Sequence, residues 1–482
     1  MTMRKFVRHS IFLIAISLTL STHANNQTLP TLGDASSGVV SQQTEHALGR
    51  AWLRALRSQA PILADPILTD YIESLIYNIA SNSELEDHRL EIVILGSPLL
   101  NAFAVPGGVI GVNAGLFNYA KTEDEFSSVL AHEIAHLSQR HFARNVEEAR
   151  RNKLPHMAAM LASVVVAATA GGDVALAAIT STQAAIQRQQ LAYSRQNEQE
   201  ADRIGMRTLV RSNYDPNAMP SLFEHMHQVT RLRGDDVPEY LLTHPLTQNR
   251  ISDSRNRAVQ YPTLNYHIHD DYYLMQARVI LEYSNSITET INFFDNALKD
   301  NSSGTPDANR YGLALAYTKA EQPKKALTAL TPLLEKDPDK IAYVIARSNI
   351  DVIDNDFDGA IERLSDALTL TPGNHPLTIY YAETLLKSGQ ATKAIRLLEP
   401  HTKNRPNDPN LWYLIAETRG LAGDIIGVHL ARAEYFIMMG SMERATEQLK
   451  YAEEKSGKNF QVLARIEQRR KDIATMKKEL EF

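Results

Sequence analysis

Residues 132–136 read His-Glu-Ile-Ala-His, the pattern H-E-x-x-H. They lie inside a stretch from Glu123 to Val146 whose apolar spacing predicts a helix, started by a Thr122 cap with Glu125 three residues later. At about 100° per residue, His132 and His136 share one face, a single turn apart. Two neutral imidazoles so placed can grip one Zn2+, and Glu133 beside them can take a proton from water held at the metal. Flanking Val129, Leu130 and Leu137 make this a packed helix rather than a solvated one. The chain has no cysteine, which excludes disulfides, thiol catalysis and cysteine-held metal. Any metal must therefore be held by His, Asp or Glu.

A catalytic zinc needs a third protein ligand and an open position. The segment Asn197-Glu198-Gln199-Glu200-Ala201-Asp202 offers Glu198 and Asp202 four residues apart, on one helical face. Glu198 is expected on the metal. Asp202 is expected to accept a hydrogen bond from a ligand histidine and so fix its tautomer. Glu200 should point elsewhere. His225 and His227 stand two apart in a helical stretch and face different ways, and His141 reads as a cap or surface residue. Upstream, Glu45 to Ala80 has helical periodicity, Leu90 to Leu95 is a strand, and Asn101 to Val112 reads as strand, tight turn and strand around Pro106-Gly107-Gly108.

The chain has 482 residues, too long for a single compact core. With 44% hydrophobic and 22% charged residues it is composed like a folded protein rather than a disordered one. Lys and Arg number 50 against 56 Asp and Glu, a net charge of −6, which disfavours nucleic acid as a partner. Arg4, Lys5 and Arg8, the apolar run Ile11 to Leu20, and Thr22-His23-Ala24 form the three parts of a secretory signal peptide, too short for a membrane span. Cleavage near Ala24 would remove those three positive charges and no negative one, taking the net charge from −6 to −9. An exported protein is expected. Residues 157–186 are rich in small and apolar residues and interrupted by Gly171-Gly172-Asp173. They read either as a buried helical hairpin or as a surface that touches membrane or an apolar partner.

From about residue 268 the chain repeats. Pro338, Pro372 and Pro406 stand 34 residues apart, with Ala326, Ala360 and Ala394 at one phase and Leu330, Leu364 and Leu398 four residues later. Ala314, Ala382 and Tyr317 match positions on the first helix of a unit, and Trp412 opens a further unit. Ala433, Ala445, Leu449 and Ala452 continue after a shift in register. Small residues let paired helices approach and proline ends the second helix, a pattern that resembles tetratricopeptide repeats. Asp351 stands where an aromatic residue is usual. The expected fold is α+β and mostly helical: a zincin-type metalloprotease domain at 25–265, after a signal peptide at 1–24, then an all-α tetratricopeptide-repeat superhelix at 268–482.

The H-E-x-x-H motif, the later Glu-x-Glu-Ala-Asp, and the segment Asn101-Ala102-Phe103-Ala104-Val105-Pro106-Gly107-Gly108 together resemble the HtpX/CAAX-prenyl-protease type of zinc metallopeptidase. The signal peptide and repeat tail narrow the resemblance to the periplasmic β-barrel assembly-enhancing proteases. It implies one Zn2+ per chain on His132, His136 and Glu198, with Glu133 as general base. It implies that Phe103, Ala104 and Val105 form an edge strand that pairs with extended substrate. Leu242-Thr243-His244-Pro245-Leu246 resembles a family stretch whose histidine can reach the zinc as a fourth ligand, so His244 would keep the enzyme latent until displaced. Arg250, six residues on, is a candidate for stabilising the oxyanion. Misfolded or stalled outer-membrane β-barrel proteins are the implied substrates, and their assembly machinery the implied partner of the repeats. A second reading is a chaperone or adaptor that works mainly through its repeats. A third, an integral-membrane protease, requires 157–186 to span lipid.

Overall fold

The computed structural model describes residues 40–151, 195–233, 238–262, 266, 269–300 and 303–479. The signal-peptide stretch and residues 157–186 lie outside them. No helix among the described residues is long and apolar enough to cross a membrane.

The chain opens with α1 (Gln42–Gln59) and α2 (Pro66–Ser81). The periodicity from Glu45 to Ala80 predicts one helical stretch; the structure divides it. Pro66 takes the first turn of α2, where its missing N–H is harmless, and Asp65 caps that turn by accepting from the amides of Ile67 and Leu68 at 3.0 and 3.2 Å. The intervening Ile62 bridges to Leu95, and the Leu63 amide donates to the Ile94 carbonyl at 2.9 Å.

Three short strands follow: β1 (Glu91–Leu95), β2 (Ala102–Val105) and β3 (Val109–Asn113). Their order is β1-β3-β2, with β1 parallel to β3 and β2 antiparallel to it, in the register Ala102↔Val112 to Val105↔Val109. The β2–β3 turn needs Gly107 (φ +80°) and Gly108 (φ +78°), and a Cβ on Gly107 would also lie 2.4 Å from the Glu45 carbonyl of α1. After the short α3 (Leu116–Tyr119), α4 (Glu123–Ser138) carries the H-E-x-x-H motif. The helix ends at Ser138 instead of running on to Val146. Arg140 adopts φ 48°, and the chain restarts as α5 (His141–Arg151).

The acidic segment lies on α6 (Arg195–Arg211), followed by α7 (Ala218–Arg233), α8 (Glu239–Thr243) and α9 (Gln248–Ala258). Helices α10 (Asp270–Glu282) and α11 (Ile287–Asp300) lead into paired helices: α12 (Pro306–Lys319) with α13 (Pro323–Lys336), α14 (Ile341–Ile353) with α15 (Phe357–Leu370), α16 (His375–Lys387) with α17 (Ala391–His401), α18 (Pro409–Leu421) with α19 (Ile425–Met438), and α20 (Met442–Ser456) with α21 (Phe460–Glu479). The repeat phase is visible in the packing. Ala326, Ala360 and Ala394, and Leu330, Leu364 and Leu398, are all fully buried on the second helices of their pairs. Asp351 is buried too, and Arg347 at 2.7 Å and Arg363 at 3.4 Å hold it.

One apolar cluster runs from α2 and the sheet through α4 into the first repeats, from Ile67 to Leu377. Tyr272 of α10 stacks on Phe117, with ring centroids 5.3 Å apart, and donates to the Ala120 carbonyl at 2.8 Å. Arg405 reaches Glu73 of α2 at 2.6 Å, and Asn407 reaches Glu91 of β1 at 2.6 Å. The repeat array is therefore wrapped against the sheet and α2 rather than hung beside them.

Candidate metal centre

Helix α4 begins where Thr122 accepts from the Glu125 amide at 3.2 Å. The Glu125 carboxylate accepts in return from the Lys121 amide at 2.7 Å, one residue before the cap. Ten residues further on the helix is wholly enclosed: His132, Glu133 and His136 are all buried. Helix α6 crosses behind them, and Gly205 permits the crossing. A Cβ there would lie 3.1 Å from the backbone of Ala131 and His132. This approach brings Glu198 and Asp202 onto the two histidines.

His244 arrives from a third element. It is the C-terminal cap of α8, its amide bonded to the Tyr240 carbonyl at 2.8 Å and its ring stacked on Tyr240 at 4.6 Å. Its Nδ1 lies 3.3 Å from His132 Nε2 and 3.2 Å from Glu198 Oε1. His132 and His136 face each other through their Nε2 atoms at 3.0 Å, and Glu198 lies 3.5 and 3.4 Å from them. One donor atom from each of His132, His136, Glu198 and His244 falls within 4.8 Å of the others. A tetrahedron of ligands about 2.0–2.1 Å from a zinc ion has edges of roughly 3.3 Å, the spacing seen here. Imidazole and carboxylate donors converging on one buried point fit a divalent cation of the zinc type.

The electrostatics differ from one donor to the next. Burial holds His136 well below the ordinary histidine value, so it is a neutral imidazole with a lone pair to give. Burial pushes Glu198 up, but His244 and the histidine contacts prevail and hold it well below the carboxylate range. Burial opposes a proton on His132, and Asp202 with Glu198 outweighs it, lifting the ring to about 9. Asp202 Oδ1 lies 3.0 Å from His132 Nδ1. Glu133 is fully buried and its carboxyl is pushed up by that burial; among the described residues neither oxygen has a hydrogen-bond partner. His244 Nε2 lies 3.5 Å from its Oε1.

Arg250 lies at the site, but not as a group facing outward. Its Nε and Nη2 bond both oxygens of Asp202 at 2.7 Å, and its Nη1 meets Glu198 at 2.8 Å and the Pro245 carbonyl at 3.0 Å. These bonds use four of the five guanidinium N–H groups, so as placed Arg250 mainly holds the two carboxylates. On the sheet, Phe103 and Val105 join the core with Trp52, while Ala104 lines a small cavity with His136 beside the outer edge of β2, which no described strand pairs. His141 departs from its expectation as a cap or surface residue. It is fully buried, with Nδ1 2.8 Å from His136 Nδ1 and Nε2 3.3 Å from Glu200. Burial pushes its ring down to about 4. On a straight helix a residue five places after His136 faces away; the turn at Arg140 brings it back.

The model of peptidase family M48 matches residues 66–258, and a tetratricopeptide-repeat model matches residues 352–417. The β-barrel assembly-enhancing protease of Escherichia coli strain K12 is 34% identical over 426 residues, 88% of this chain and 87% of that one. Its namesake in Yersinia pestis is 34% identical over 429 residues, 86% and 85% of the two chains. The mitochondrial metalloendopeptidase OMA1 of Arabidopsis thaliana is 32% identical over 171 residues, 36% of this chain and 32% of that one. Likeness of this extent, reaching across both the enclosed H-E-x-x-H helix and the repeat array, means that the chain belongs to the β-barrel assembly-enhancing protease family of M48 peptidases and is a zinc metalloendopeptidase.

Proposed function

We propose that this chain is a periplasmic endopeptidase that cleaves misfolded or stalled outer-membrane β-barrel proteins, and that His244 keeps it latent. The observation that carries the latency is the place of the His244 ring. It fills the space between the Glu133 carboxylate and the His132–Glu198 pair, where water and a scissile carbonyl have to enter. In this reading His132, His136 and Glu198 hold the metal, with His244 as a displaceable fourth donor. A bound zinc supplies the Lewis acid that polarises the carbonyl and lowers the pKa of water. Glu133, kept dry and unencumbered, takes the proton from the attacking water and hands it to the leaving amine nitrogen. Asp202 orients His132, and Arg250 orients Asp202 and Glu198. The outer edge of β2, unpaired among the described residues, offers backbone groups to an extended substrate, with Ala104 beside His136. Residues 25–265 carry this chemistry and 268–482 dock the substrate or its assembly machinery.

The repeat-based adaptor remains a second reading, favoured by a cavity of about 460 Å³ between β1 and the repeats, lined by Tyr77, Glu383, Tyr413 and Glu417 among others. Glu133→Gln separates the two. The peptidase reading expects this variant to retain fold and zinc and to lose cleavage of an unfolded β-barrel protein by at least 100-fold. Undiminished cleavage would sink the mechanism. Full support of outer-membrane assembly by the cleavage-dead protein would favour the adaptor. Deleting 268–482 is a poor discriminator, because the apolar core is continuous across that boundary.

A further inference from the structure

Each imidazole of the H-E-x-x-H pair has a second ring nitrogen that must be told whether to carry a proton. For His132 the instruction comes directly. Arg250 holds Asp202 ionised through two bonds of 2.7 Å, Asp202 Oδ1 lies 3.0 Å from His132 Nδ1, and Nε2 is the nitrogen turned toward the cluster. In the equivalent place behind His136 lies a second imidazole, that of His141.

We infer that His141, set by Glu200 and Arg144, is a positioning residue that fixes the tautomer of His136. Arg144 Nη1 donates to Glu200 Oε2 at 2.8 Å, which keeps Glu200 an acceptor. The same oxygen lies 3.3 Å from His141 Nε2, so that nitrogen carries the hydrogen. A neutral His141 then has its lone pair on Nδ1, 2.8 Å from His136 Nδ1. Two ring nitrogens at this distance need one proton between them, and His136 must supply it. His136 Nε2 is thereby left bare, and it is the atom that faces His132 at 3.0 Å and Glu198 at 3.4 Å. The opposite tautomer would aim an N–H into the metal position. The relay Arg144–Glu200–His141–His136 thus repeats, with one extra ring, what Arg250–Asp202–His132 does on the other side. His141 is fully buried, so water cannot substitute for it. Glu200 gains a role that the helical spacing of Glu198 and Asp202 does not suggest.

The inference rests on the reading of His132, His136 and Glu198 as zinc ligands, and the test separates the two. In the full-length protein, zinc affinity is measured by competition with a chromogenic chelator, alongside thermal melting. Wild type is expected to bind one zinc; failure to do so would defeat the reading of the site itself. His141→Phe keeps the ring volume, loses the acceptor, and is expected to bind zinc 10–100-fold more weakly. His141→Asn places an amide oxygen near the position of Nδ1 and should recover most of that loss. Glu200→Met, at a partly exposed position, removes the acceptor for Nε2 and is expected to weaken zinc several-fold even if His141→Phe does not fold. Zinc binding of wild-type strength in folded His141→Phe or in Glu200→Met overturns the relay. So does an equal loss in His141→Phe and His141→Asn, which would reduce His141 to packing.

Discussion

His244 makes three kinds of contact at once: with the donor cluster through Nδ1, with Glu133 through Nε2, and with the Tyr240 ring by stacking. Removing it leaves the other three donors in place and uncovers Glu133. His244→Ala is therefore expected to raise hydrolysis of an unfolded β-barrel protein several-fold at unchanged zinc content. An unchanged rate would remove the latch, and an abolished one would give His244 a catalytic part. At this scale the sequence is legible wherever a motif is compact. His132, Glu133 and His136 announce themselves, and so do Glu198 and Asp202, because one helical turn brings each pair to one face. His141 and Glu200 do not, because their meeting depends on a backbone turn at Arg140 and on the crossing of two helices. Arg250 is legible as a site residue, but its direction is not.

Two helices, α4 and α6, carry the chemistry, and their separation is set by a residue with no side chain. Gly205→Leu would force the helices apart at Ala131 and His132. Overpacking of this kind costs about 1–3 kcal/mol, and it draws Glu198 and Asp202 off the histidines. The expected readouts are a lower melting temperature together with weaker zinc binding; a stable variant with full affinity would show that the close approach is not needed. In the repeats, α16 begins with buried His375, whose Nδ1 lies 3.1 Å from His401 Nε2 and whose Nε2 lies 3.5 Å from Asp408. Burial, then Arg405 and His401, pushes His375 down to about 3, and burial with Arg405 lowers His401. A lowered histidine is neutral when folded, while the unfolded chain takes up a proton below about pH 6.5. Stability is thus whole above that pH and drains as pH falls toward the folded value, by about 2 kcal/mol at pH 5 for His375. Denaturant titrations at pH 7.5 and 5 should show this loss, and His375→Gln should flatten it. An identical pH slope in the variant would assign the acid sensitivity elsewhere.

The whole molecule is held together where the repeats meet the sheet and α2. Arg278 of α10 donates to Asp65, the cap of α2, at 2.8 Å, and to the hydroxyls of Tyr311 and Tyr380 at 2.8 and 3.3 Å. It ties two repeat pairs to one protease helix, and the shared apolar core lies beneath it. Arg278→Met leaves Asp65 without its cation and is expected to destabilise the protein by about 3 kcal/mol. Protease and repeats should unfold in one transition in wild type; two separate transitions by circular dichroism would contradict a common core. The sequence by itself determined the element types, the catalytic helix, the carboxylate helix and the 34-residue phase of the array. Each of these is a local periodicity, and periodicity specifies which face of an element is buried. It does not specify what that face meets. The burial of His244 in the cluster, 112 residues from His132, the turning of Arg250 inward, the ring behind His136, and the closing of the array on the sheet were decided only in three dimensions. There the exclusion of water drives most buried polar groups to a partner, whatever its distance along the chain.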